Sequence, residues 1–557
     1  MTGRPALFEP IARAVPAFDI ALRKHETGDL RGARKAYLDL MDQPQLTAIC
    51  LNQLGVIAFT KGEHIRAAEM FRQSLRIDPM LGLPYQNLSQ TLEQLGHTQE
   101  ALATLINLGC SFQLQGQYPQ AMTLYQHILA REPLSYAAYI NLGTSLAWSN
   151  QLIEAAHHLL HGITLYGRQF HDIGRFIHDL KTKINGIPDT PALPQGMPLG
   201  ELEKIEDAFT TLGKVLDNLS FHDEALSCYH QSVTCAPAFA LGHWNLALAL
   251  LGHGDFKNGW KEYEWRWLWT GMPEPQRLLP IPTWRGESLK GKRILIWGEQ
   301  GSGDIMQFVP LVMKLRSKAR DVILEVPTQL VRLMQQSLDK ITVINRPDSP
   351  HTLTTDQPID FVIPLMSLPY YLKLTPEDLP LGENYLRAAP EDTILWENRV
   401  FAHTERSKPK VGLVWAGSPK HAENARRSLP FSLIQPLLDN SKISWYSLQV
   451  GPNQNDISEA SGTTITSLAP HLNDFADTAA AIQTLDLIIC VDTAVAHLAA
   501  AMNKPVWLLL SKVSDWRWFH STEKSAWYPT MRIFRQTTTG DWKEVIERVN
   551  AALDQLS

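Results

Sequence analysis

Residues 485–510, LDLIICVDTAVAHLAAAMNKPVWLLL, contain two short apolar runs on either side of an alanine-rich stretch. The runs DLIICV and PVWLLL have no polar alternation, which is typical of strands buried on both faces of a parallel sheet. The stretch between them begins near Thr493 and has the length of a short helix. This segment therefore predicts a strand, a helix and a second strand of an α/β fold.

Further runs of the same kind fill the chain from Pro280 onward, namely RILIW, DVILEV, ITVIN, DFVIPL, KVGLVWA and ISWYSLQV. Helical stretches alternate with them, as expected for parallel sheets. The segment Leu386–Lys408 is charged, lacks a strand pattern and separates the first four runs from the last four. We therefore predict two Rossmann-like lobes, at 280–390 and 391–557, with a cleft between them.

The preceding part of the chain repeats with a period of 34 residues, the length of a tetratricopeptide helix pair. The repeated positions are Leu51, Leu54, Gly55, Ala67, Phe71 and Pro79; Tyr139, Leu142, Gly143, Ala155 and Leu159; and Phe209, Leu212, Gly213, Ala225, Tyr229 and Pro237. The stretch from Pro79 to Pro133 does not hold a whole number of repeats. The pattern predicts an all-α superhelix of tetratricopeptide-like repeats at 1–183 and 202–279.

Stacked helix pairs form a concave groove, and such grooves commonly bind protein segments. For the last repeats, which run directly into the α/β half, supporting that half is an equally good interpretation. Residues 184–201 are rich in Pro and Gly, so we expect a linker or long loop there.

Composition excludes several classes of protein. The formal net charge is -6 and no long basic run occurs, which disfavours a nucleic-acid-binding or anionic-membrane-binding protein. The five cysteines are scattered and form no C-x-x-C pair, which disfavours a disulfide framework or a zinc site. The N-terminus does not resemble a signal peptide and no segment is apolar enough for a membrane span, so we expect a cytoplasmic protein.

A glycine-rich loop follows the RILIW run and ends in Gly301, Ser302, Gly303 and Asp304. Its glycine spacing is similar to that of a phosphate-binding loop, but Asp304 occupies the place of the lysine and would repel a phosphate. The glycines allow a substrate to approach closely, and an ionised Asp304 at a helix N-terminus can act as a base. A simple N-terminal helix cap is the alternative interpretation of Asp304.

Two candidate anion sites lie in the second lobe, each after a strand. The first is a cationic cluster, of which Arg427 is the preferred member because an arginine fork neutralises a diphosphate well. The second is the helix start at Thr493 and Ala494, whose N–H groups suit a phosphate, with His497 one turn further. A solvated loop for Arg427 and a packed core position for His497 are the structural alternatives.

Other catalytic motifs do not occur in the sequence. The chain contains no D-x-D, so the acidic pair that commonly holds a metal ion beside a nucleotide diphosphate is missing. Neither G-x-S-x-G nor H-E-x-x-H occurs, which leaves hydrolase chemistry unsupported. The residues therefore favour group transfer with no metal ion and no other cofactor.

With these motifs in place, the chain resembles bacterial tetratricopeptide-repeat glycosyltransferases of the GT-B fold. Its α/β half is similar to the ADP-heptose:lipopolysaccharide heptosyltransferases and, more distantly, the layout is similar to the O-GlcNAc transferases. The resemblance rests on the repeats, the EYEWRW run at 262–267, GSGD at 301–304, VWAGSPKHAENARRSLP, VDTAVAHLA, and DWRW with SAWYP near the end. It covers nearly the whole chain.

The resemblance implies roles for individual residues. Asp304 matches the acid proposed to deprotonate the acceptor, and Arg427 matches a cation that faces the donor phosphates. Asp492, Thr493 and His497 match a D-T-x-x-x-H element that holds the diphosphate, although Ala494 replaces the usual glycine. Weaker candidates for nucleotide contact are Trp415, Gly417, Ser418, Gln449 and Gly451. The aromatic residues Trp516, Trp518, Trp527 and Tyr528 could line the acceptor side, but core positions are the better interpretation.

These observations together predict an inverting, metal-independent glycosyltransferase that uses a nucleotide-sugar donor. We expect the acceptor to be a protein held by the repeats, flagellins being a known acceptor class for similar architectures. Two alternatives stay open from the sequence. One is a transferase that acts on lipopolysaccharide or another glycan, and the other is a non-catalytic repeat scaffold with a relic transferase domain.

Overall fold

The computed structural model describes residues 15–167, 205–274, 276–347, 352–353, 358–399, 401, 407–421, 423–459 and 465–555. The chain forms two compact units, Met1–Ala236 and Pro237–Ser557. The described part of the first unit is helical, and the second unit is α/β. The predicted linker at 184–201 lies outside the described residues.

The first unit is built from antiparallel helix pairs. Among its described residues, the helices are Pro16–Glu26, Leu30–Leu40, Pro44–Thr60, His64–Ile77, Gly82–Gln94, Thr98–Leu114, Tyr118–Arg131, Tyr136–Trp148, Leu152–Gly167, Ile205–Asn218 and His222–Cys235. Each pair buries an apolar face against its neighbour, as the repeat pattern predicted.

A glycine in the first helix of a pair receives a large side chain from the second helix. A methyl group on Gly55 would lie 2.6 Å from the ring of Phe71, and one on Gly213 would lie 2.5 Å from the ring of Tyr229. Both rings come sixteen positions after their glycine. The predicted register is confirmed here, because only a residue without a side chain allows this approach.

The irregular stretch between Pro79 and Pro133 contains the same contact in a displaced register. A methyl group on Gly109 would lie 2.4 Å from the buried ring of Tyr125, again sixteen positions later. The helices Thr98–Leu114 and Tyr118–Arg131 are thus a regular pair. The irregularity comes from the additional helix Gly82–Gln94, which packs between this pair and the preceding one.

The second unit contains two parallel sheets. Its strands are β1 Arg293–Trp297, β2 Asp321–Val326, β3 Thr342–Asn345, β4 Phe361–Pro364, β5 Lys410–Val414, β6 Ser444–Ser447, β7 Ile465–Ser467, β8 Leu487–Val491, β9 Val506–Leu510 and β10 Met531–Arg535. Its helices are Ala240–Gly252, Phe256–Tyr263, Ser302–Leu315, Thr328–Ser337, Leu368–Tyr371, Pro390–Arg399, Asn424–Arg427, Phe431–Leu438, Asp456–Glu459, Phe475–Thr484, Ala494–Ala501 and Trp542–Leu553.

The strand order is β3-β2-β1-β4 in the first sheet and β10-β9-β8-β5-β6-β7 in the second, with all described pairs parallel. The second order is that of the Rossmann fold. The eight predicted strands are confirmed, and the prediction of two Rossmann-like lobes is confirmed as well. Two further strands, β7 and β10, were not predicted from the sequence.

The last predicted repeats are divided between the two units. The helices Ala240–Gly252 and Phe256–Tyr263, which lie in the predicted repeat segment 202–279, belong to the second unit. Their side chains Leu251 and Trp260 are buried in the same apolar core as β1 of the first sheet. These two helices therefore form part of the α/β unit, because that is where they bury their apolar faces.

Within the described ranges, no helix combines the length and the apolar character needed to cross a membrane.

Candidate active site

The strand order defines where a ligand site is expected in each lobe. In open parallel sheets, ligands bind beyond the carboxyl ends of strands, where the chain order reverses. In the second sheet that reversal lies between β5 and β8, which are neighbours with Val414 opposite Cys490. The segments that follow them start at Trp415 and Asp492. In the first sheet the reversal lies beside β1, and the loop after β1 carries Gly301 and Asp304.

Asp304 lies in the first turn of the helix Ser302–Leu315 and is largely buried, with its side chain 20% exposed. Its Oδ2 accepts a hydrogen bond of 2.8 Å from the backbone N–H of Gly301. Its Oδ1 accepts one from Nη2 of Arg517, a residue of the second lobe. Asp304 thus caps its own helix and also makes an ionic contact across the cleft. Its position as a helix cap is therefore compatible with a role as a base.

The glycine loop brings the first lobe close to the second. A methyl group on Gly303 would lie 2.8 Å from Cδ2 of His497 and 3.5 Å from Cα of Ala494. Ser302 is only weakly engaged, its Oγ lying 3.4 Å from Nε2 of Gln329. The helices Ser302–Leu315 and Ala494–Ala501 therefore meet at their N-terminal ends, and the absence of a side chain at Gly303 makes this approach possible.

Arg427 ends the short helix Asn424–Arg427. A methyl group on Gly417 would lie 2.8 Å from both Nε and Nη2 of Arg427, so the turn after β5 supports the guanidinium directly. The buried Nε of Arg427 has no hydrogen-bond partner within the described residues. A buried donor without an acceptor is costly, and it is the arrangement expected of a group whose partner is a ligand.

The second candidate anion site lies at the start of the helix Ala494–Ala501. Thr493 is the N-cap residue, its side chain makes no capping hydrogen bond, and its buried Oγ1 has no partner in the described part of the chain. Burial and the nearby Asp515 raise the pKa of Asp492 to about 6. Free helix N–H groups and an unpartnered hydroxyl can together hold a phosphate.

His497 is buried inside this helix, and its Nδ1 lies 2.9 Å from the hydroxyl of Tyr528. Burial, followed by the charges of Arg517 and Arg427, lowers its pKa to about 3. The imidazole is therefore neutral at physiological pH. It can act as a hydrogen-bond donor or acceptor but not as a cation.

One of the weaker nucleotide-contact candidates, Gln449, holds the turn after β5. The amide oxygen of Gln449 accepts hydrogen bonds from the N–H groups of Trp415 and Ala416, and its NH₂ donates to the carbonyls of Ala416 and Val450. The side-chain amide of Gln449 is fully occupied, so its role is to fix this turn. Ser418 is exposed, and its Oγ lies 3.4 Å from the N–H of Lys420.

Sequence reasoning missed Arg517, which is the most highly connected cation of the site. Its Nε donates to Gln307 at 2.6 Å, its Nη1 to Asp515 at 2.9 Å and its Nη2 to Asp304, while its guanidinium stacks 4.5 Å from the Trp516 ring. Burial alone would lower the pKa of Arg517, but the two aspartates outweigh it and raise the pKa. The signal available in the sequence was an arginine inside the tryptophan-rich run DWRW, where burial demands an acidic partner.

A second buried ionic cluster supports the loop after β1. Nε and Nη2 of Arg266, from the EYEWRW run, donate to the two carboxylate oxygens of Glu299 at 3.1 and 2.8 Å. Arg266 also donates to Glu264 at 2.7 Å and to Ser367 at 2.8 Å. The cluster ties the loop that leads to Gly301 to the helices before the first sheet.

The aromatic residues near the end of the chain are core residues, as their preferred interpretation predicted. Trp516, Trp518, Trp527 and Tyr528 are all nearly fully buried. Within the described residues, no cluster of three or more His, Cys, Asp or Glu side chains is arranged to hold a metal ion.

Fold and candidate site together are those of a two-lobed, Rossmann-type protein of the GT-B kind, in which an acid from one lobe lies close to a candidate anion site in the other. The sequence comparisons agree with this class. Residues 453–519 match the family description Glycosyltransferase family 9 (heptosyltransferase), and residues 47–77 and 102–131 match Tetratricopeptide repeat. The chain thus contains tetratricopeptide repeats and an α/β region that is similar to the heptosyltransferases of glycosyltransferase family 9.

The Protein FlbA of Caulobacter vibrioides is 26% identical to this chain over 400 residues. The match covers 62% of this chain and 66% of FlbA, slightly less than two thirds of the length of that relative.

Two solved structures are similar to the α/β part. A glycosyl transferase family 9 protein from Veillonella parvula is 13% identical, with a TM-score of 0.39, and covers 49% of this chain and 99% of its own. The E. coli ADP-heptose lps heptosyltransferase II is 13% identical, with a TM-score of 0.33, and covers 47% of this chain and 99% of its own.

Proposed function

We propose that the protein transfers a sugar from a nucleoside-diphosphate sugar to a protein acceptor, with inversion at the anomeric carbon and without a metal ion. The observation that carries the proposal is the convergence of two groups on one cleft. Asp304 comes from the first lobe, and the Arg427 and Thr493 anion site comes from the second. The close approach of Gly303 to His497 and Ala494 brings the two elements together.

The departing diphosphate is the group that needs most stabilisation. In the proposed reaction, the bond between the anomeric carbon and the diphosphate oxygen breaks, and the electron pair leaves with the nucleoside diphosphate. Arg427 and the free N–H groups at the start of the helix Ala494–Ala501 offset the developing negative charge. A guanidinium and a helix N-terminus can do this without a metal ion.

The acceptor provides the nucleophile and must lose a proton. In the proposed reaction, Asp304 takes this proton while the acceptor oxygen forms the new bond on the opposite face of the anomeric carbon. Direct displacement of this kind inverts the configuration. The remaining 20% exposure of Asp304 leaves the carboxylate accessible to an acceptor hydroxyl.

Support for a protein acceptor comes from the first unit. Its stacked helix pairs belong to a class of superhelix that commonly binds polypeptide segments. The competing acceptor is a glycan, in which case the repeats recruit partner proteins.

The donor is tested with the purified full chain and a panel of ADP-, GDP-, UDP- and dTDP-sugars. We expect one donor class to be converted to its nucleoside diphosphate, with a rate that EDTA does not change. Release from none of the donors, in the presence of a cell extract that supplies acceptors, would contradict the proposal. The anomeric configuration of the product, determined by NMR, tests the inversion.

The anion site is tested by replacing its cation. Arg427→Gln is expected to weaken binding of the cognate nucleoside diphosphate roughly 10- to 100-fold, because charged hydrogen bonds are worth about 1.5–3 kcal/mol. Isothermal titration calorimetry measures this change. Arg426→Gln is the matched control, since Arg426 lies next in the chain and pairs with Glu423 at 2.8 Å. Equal binding by both variants would remove Arg427 from the site.

The acceptor class is tested in cells by mass spectrometry. A sugar adduct on one or more proteins, lost when the gene is deleted and restored by the full chain, supports the protein acceptor. A sugar missing from the lipopolysaccharide or another glycan, with every protein mass unchanged, favours the glycan acceptor instead.

A further inference from the structure

The side chain of Arg517 is almost fully buried and is hydrogen-bonded through three of its nitrogens. Its side chain is 8% exposed, three of its nitrogens donate to the acceptors Gln307, Asp515 and Asp304, and one face is covered by Trp516. A further contact fixes its backbone, because Nε1 of Trp527 donates to the Arg517 carbonyl at 2.9 Å. The guanidinium therefore has a single orientation, set by groups from both lobes.

The Asp304 carboxylate receives one hydrogen bond on each oxygen. Oδ2 is bound by the Gly301 N–H of its own lobe, and Oδ1 by Arg517 of the other lobe. The backbone contact alone would leave the carboxylate free to rotate, since one hydrogen bond does not fix a plane. The second contact, from the opposite direction, fixes the plane and leaves the remaining lone pairs for a proton.

We propose that Arg517 is the positioning residue of Asp304, so that the proton acceptor of one lobe takes its working orientation only when the other lobe is in place. This inference rests on the proposed function, because it assumes that Asp304 accepts the proton. Arg517 acts through Asp304, and it does not itself exchange a proton. Asp515, which binds Nη1, keeps the guanidinium in place when Asp304 becomes protonated.

A second ionic contact between the lobes supplies a matched control. Nη2 of Arg332, in the helix Thr328–Ser337, binds Asp474 at 2.8 Å and also binds Asp477, both in the second lobe. This arginine is 45% exposed and does not touch Asp304. Loss of Arg332 removes an ionic contact between the lobes without changing the surroundings of the base.

The test compares Arg517→Gln, Arg517→Lys and Arg332→Gln in the full chain, with the donor identified from the nucleotide-sugar panel. For Arg517→Gln we expect kcat to fall about 100-fold, the size of effect that a displaced catalytic group produces, with the calorimetric Kd for the nucleoside diphosphate changed less than about threefold. Arg517→Lys retains the charge but loses the fork, so part of kcat is expected to return. Arg332→Gln is expected to keep kcat within about twofold.

A double-mutant cycle separates positioning from a general structural effect. If Arg517 acts through Asp304, then Arg517→Gln in an Asp304→Asn background lowers the residual kcat by less than about threefold. An additive loss of about 100-fold in that background would overturn the proposal. So would equal losses of kcat in Arg517→Gln and Arg332→Gln, because these would indicate that either contact merely keeps the lobes together.

Thermal unfolding by circular dichroism checks that each variant folds. If Arg517→Gln does not fold, Arg517→Lys decides alone, because unchanged kcat there would contradict the need for a fork between Asp304 and Asp515. Failure of the proposed function has a different signature, since the unmodified chain would then release no nucleoside diphosphate from any donor. An active native chain with an equally active Arg517→Gln variant overturns only this inference.

Discussion

The two units of the chain differ in what they bury. In the repeats, the defining contact is between a glycine and a large side chain sixteen positions later, as for Gly55 and Phe71. In the α/β unit, the defining contacts at the candidate site are ionic and join distant parts of the chain, and Asp304 and Arg517 lie 213 positions apart. Shape complementarity specifies the first unit, and buried charge specifies the site in the second.

This difference has an energetic consequence. A repeat contact can be weakened in small steps, because the stability of a solenoid is approximately a sum of many contributions from single repeats and from the interfaces between neighbours. A buried ion pair cannot be weakened in this way, since the partner left behind is an uncompensated charge. Substitutions in the two units should therefore produce effects of different size.

The largest stability effect is expected at Arg266, which binds Glu299 and Glu264. Arg266→Met leaves the fully buried carboxylate of Glu299 without its counter-ion and should lower the free energy of unfolding by about 3–5 kcal/mol. The control is Arg72→Met in the repeats, where the pair with Glu100 is exposed and worth about 0–1 kcal/mol. Urea denaturation measures the free energy of unfolding of both variants. Equal losses would contradict the proposed difference between the two units.

The next prediction concerns the contribution of His497 to the pH dependence of the free energy of unfolding. Burial lowers its pKa to about 3, so the folded chain keeps this imidazole neutral while the unfolded chain takes up a proton near the ordinary value of 6.5. The unfolded state binds more protons between these values, so this residue makes the free energy of unfolding fall as pH falls through that window. In His497→Gln this contribution of about 1 kcal/mol per pH unit should disappear. The matched control is His230→Gln, which replaces a histidine at an exposed position of the repeats and leaves His497 in place.

The smallest effect is expected in the repeats, at Gly109. A methyl group there would lie 2.4 Å from the ring of Tyr125, so Gly109→Ala should lower the free energy of unfolding by about 1–2 kcal/mol, after the higher helix propensity of alanine is included. Gly82→Ala is the control, because its methyl group would make an ordinary contact of 3.5 Å with Leu108. Thermal unfolding that shows Gly109→Ala as stable as Gly82→Ala would contradict the packing account.

The sequence predicted the repeats in detail because their contacts are local and periodic. Within each repeat, the spacing of sixteen between Gly55 and Phe71 and between Gly213 and Tyr229 follows from the tetratricopeptide pattern. The Gly109 pair was missed although Gly109 lies 34 positions before Gly143, because the additional helix Gly82–Gln94 puts it out of step with the preceding repeat at Gly55. Among the strands, β7 was missed because it has three residues and none of them is buried.

The α/β site was predicted only in part. The segments after the strands that carry Asp304, Arg427 and Thr493 could be chosen as candidates because ligand sites of parallel sheets follow from strand order. Arg517 could not be assigned, because its flanking tryptophans resemble a core segment and its partner lies in the other lobe. The contact between Asp304 and Arg517 joins residues 213 positions apart, and such a contact produces no periodic pattern in a single sequence.

The measurement that tests the account most directly is sugar transfer by Asp304→Asn beside its matched control. Asp339→Asn serves as the control, since Asp339 is an exposed carboxylate of the same lobe that pairs with Arg387. We predict that Asp304→Asn lowers kcat by about 10²- to 10⁴-fold, the range for loss of a general base, while calorimetric binding of the nucleoside diphosphate is retained. Asp339→Asn should transfer at the native rate. Full turnover by Asp304→Asn would contradict the central claim.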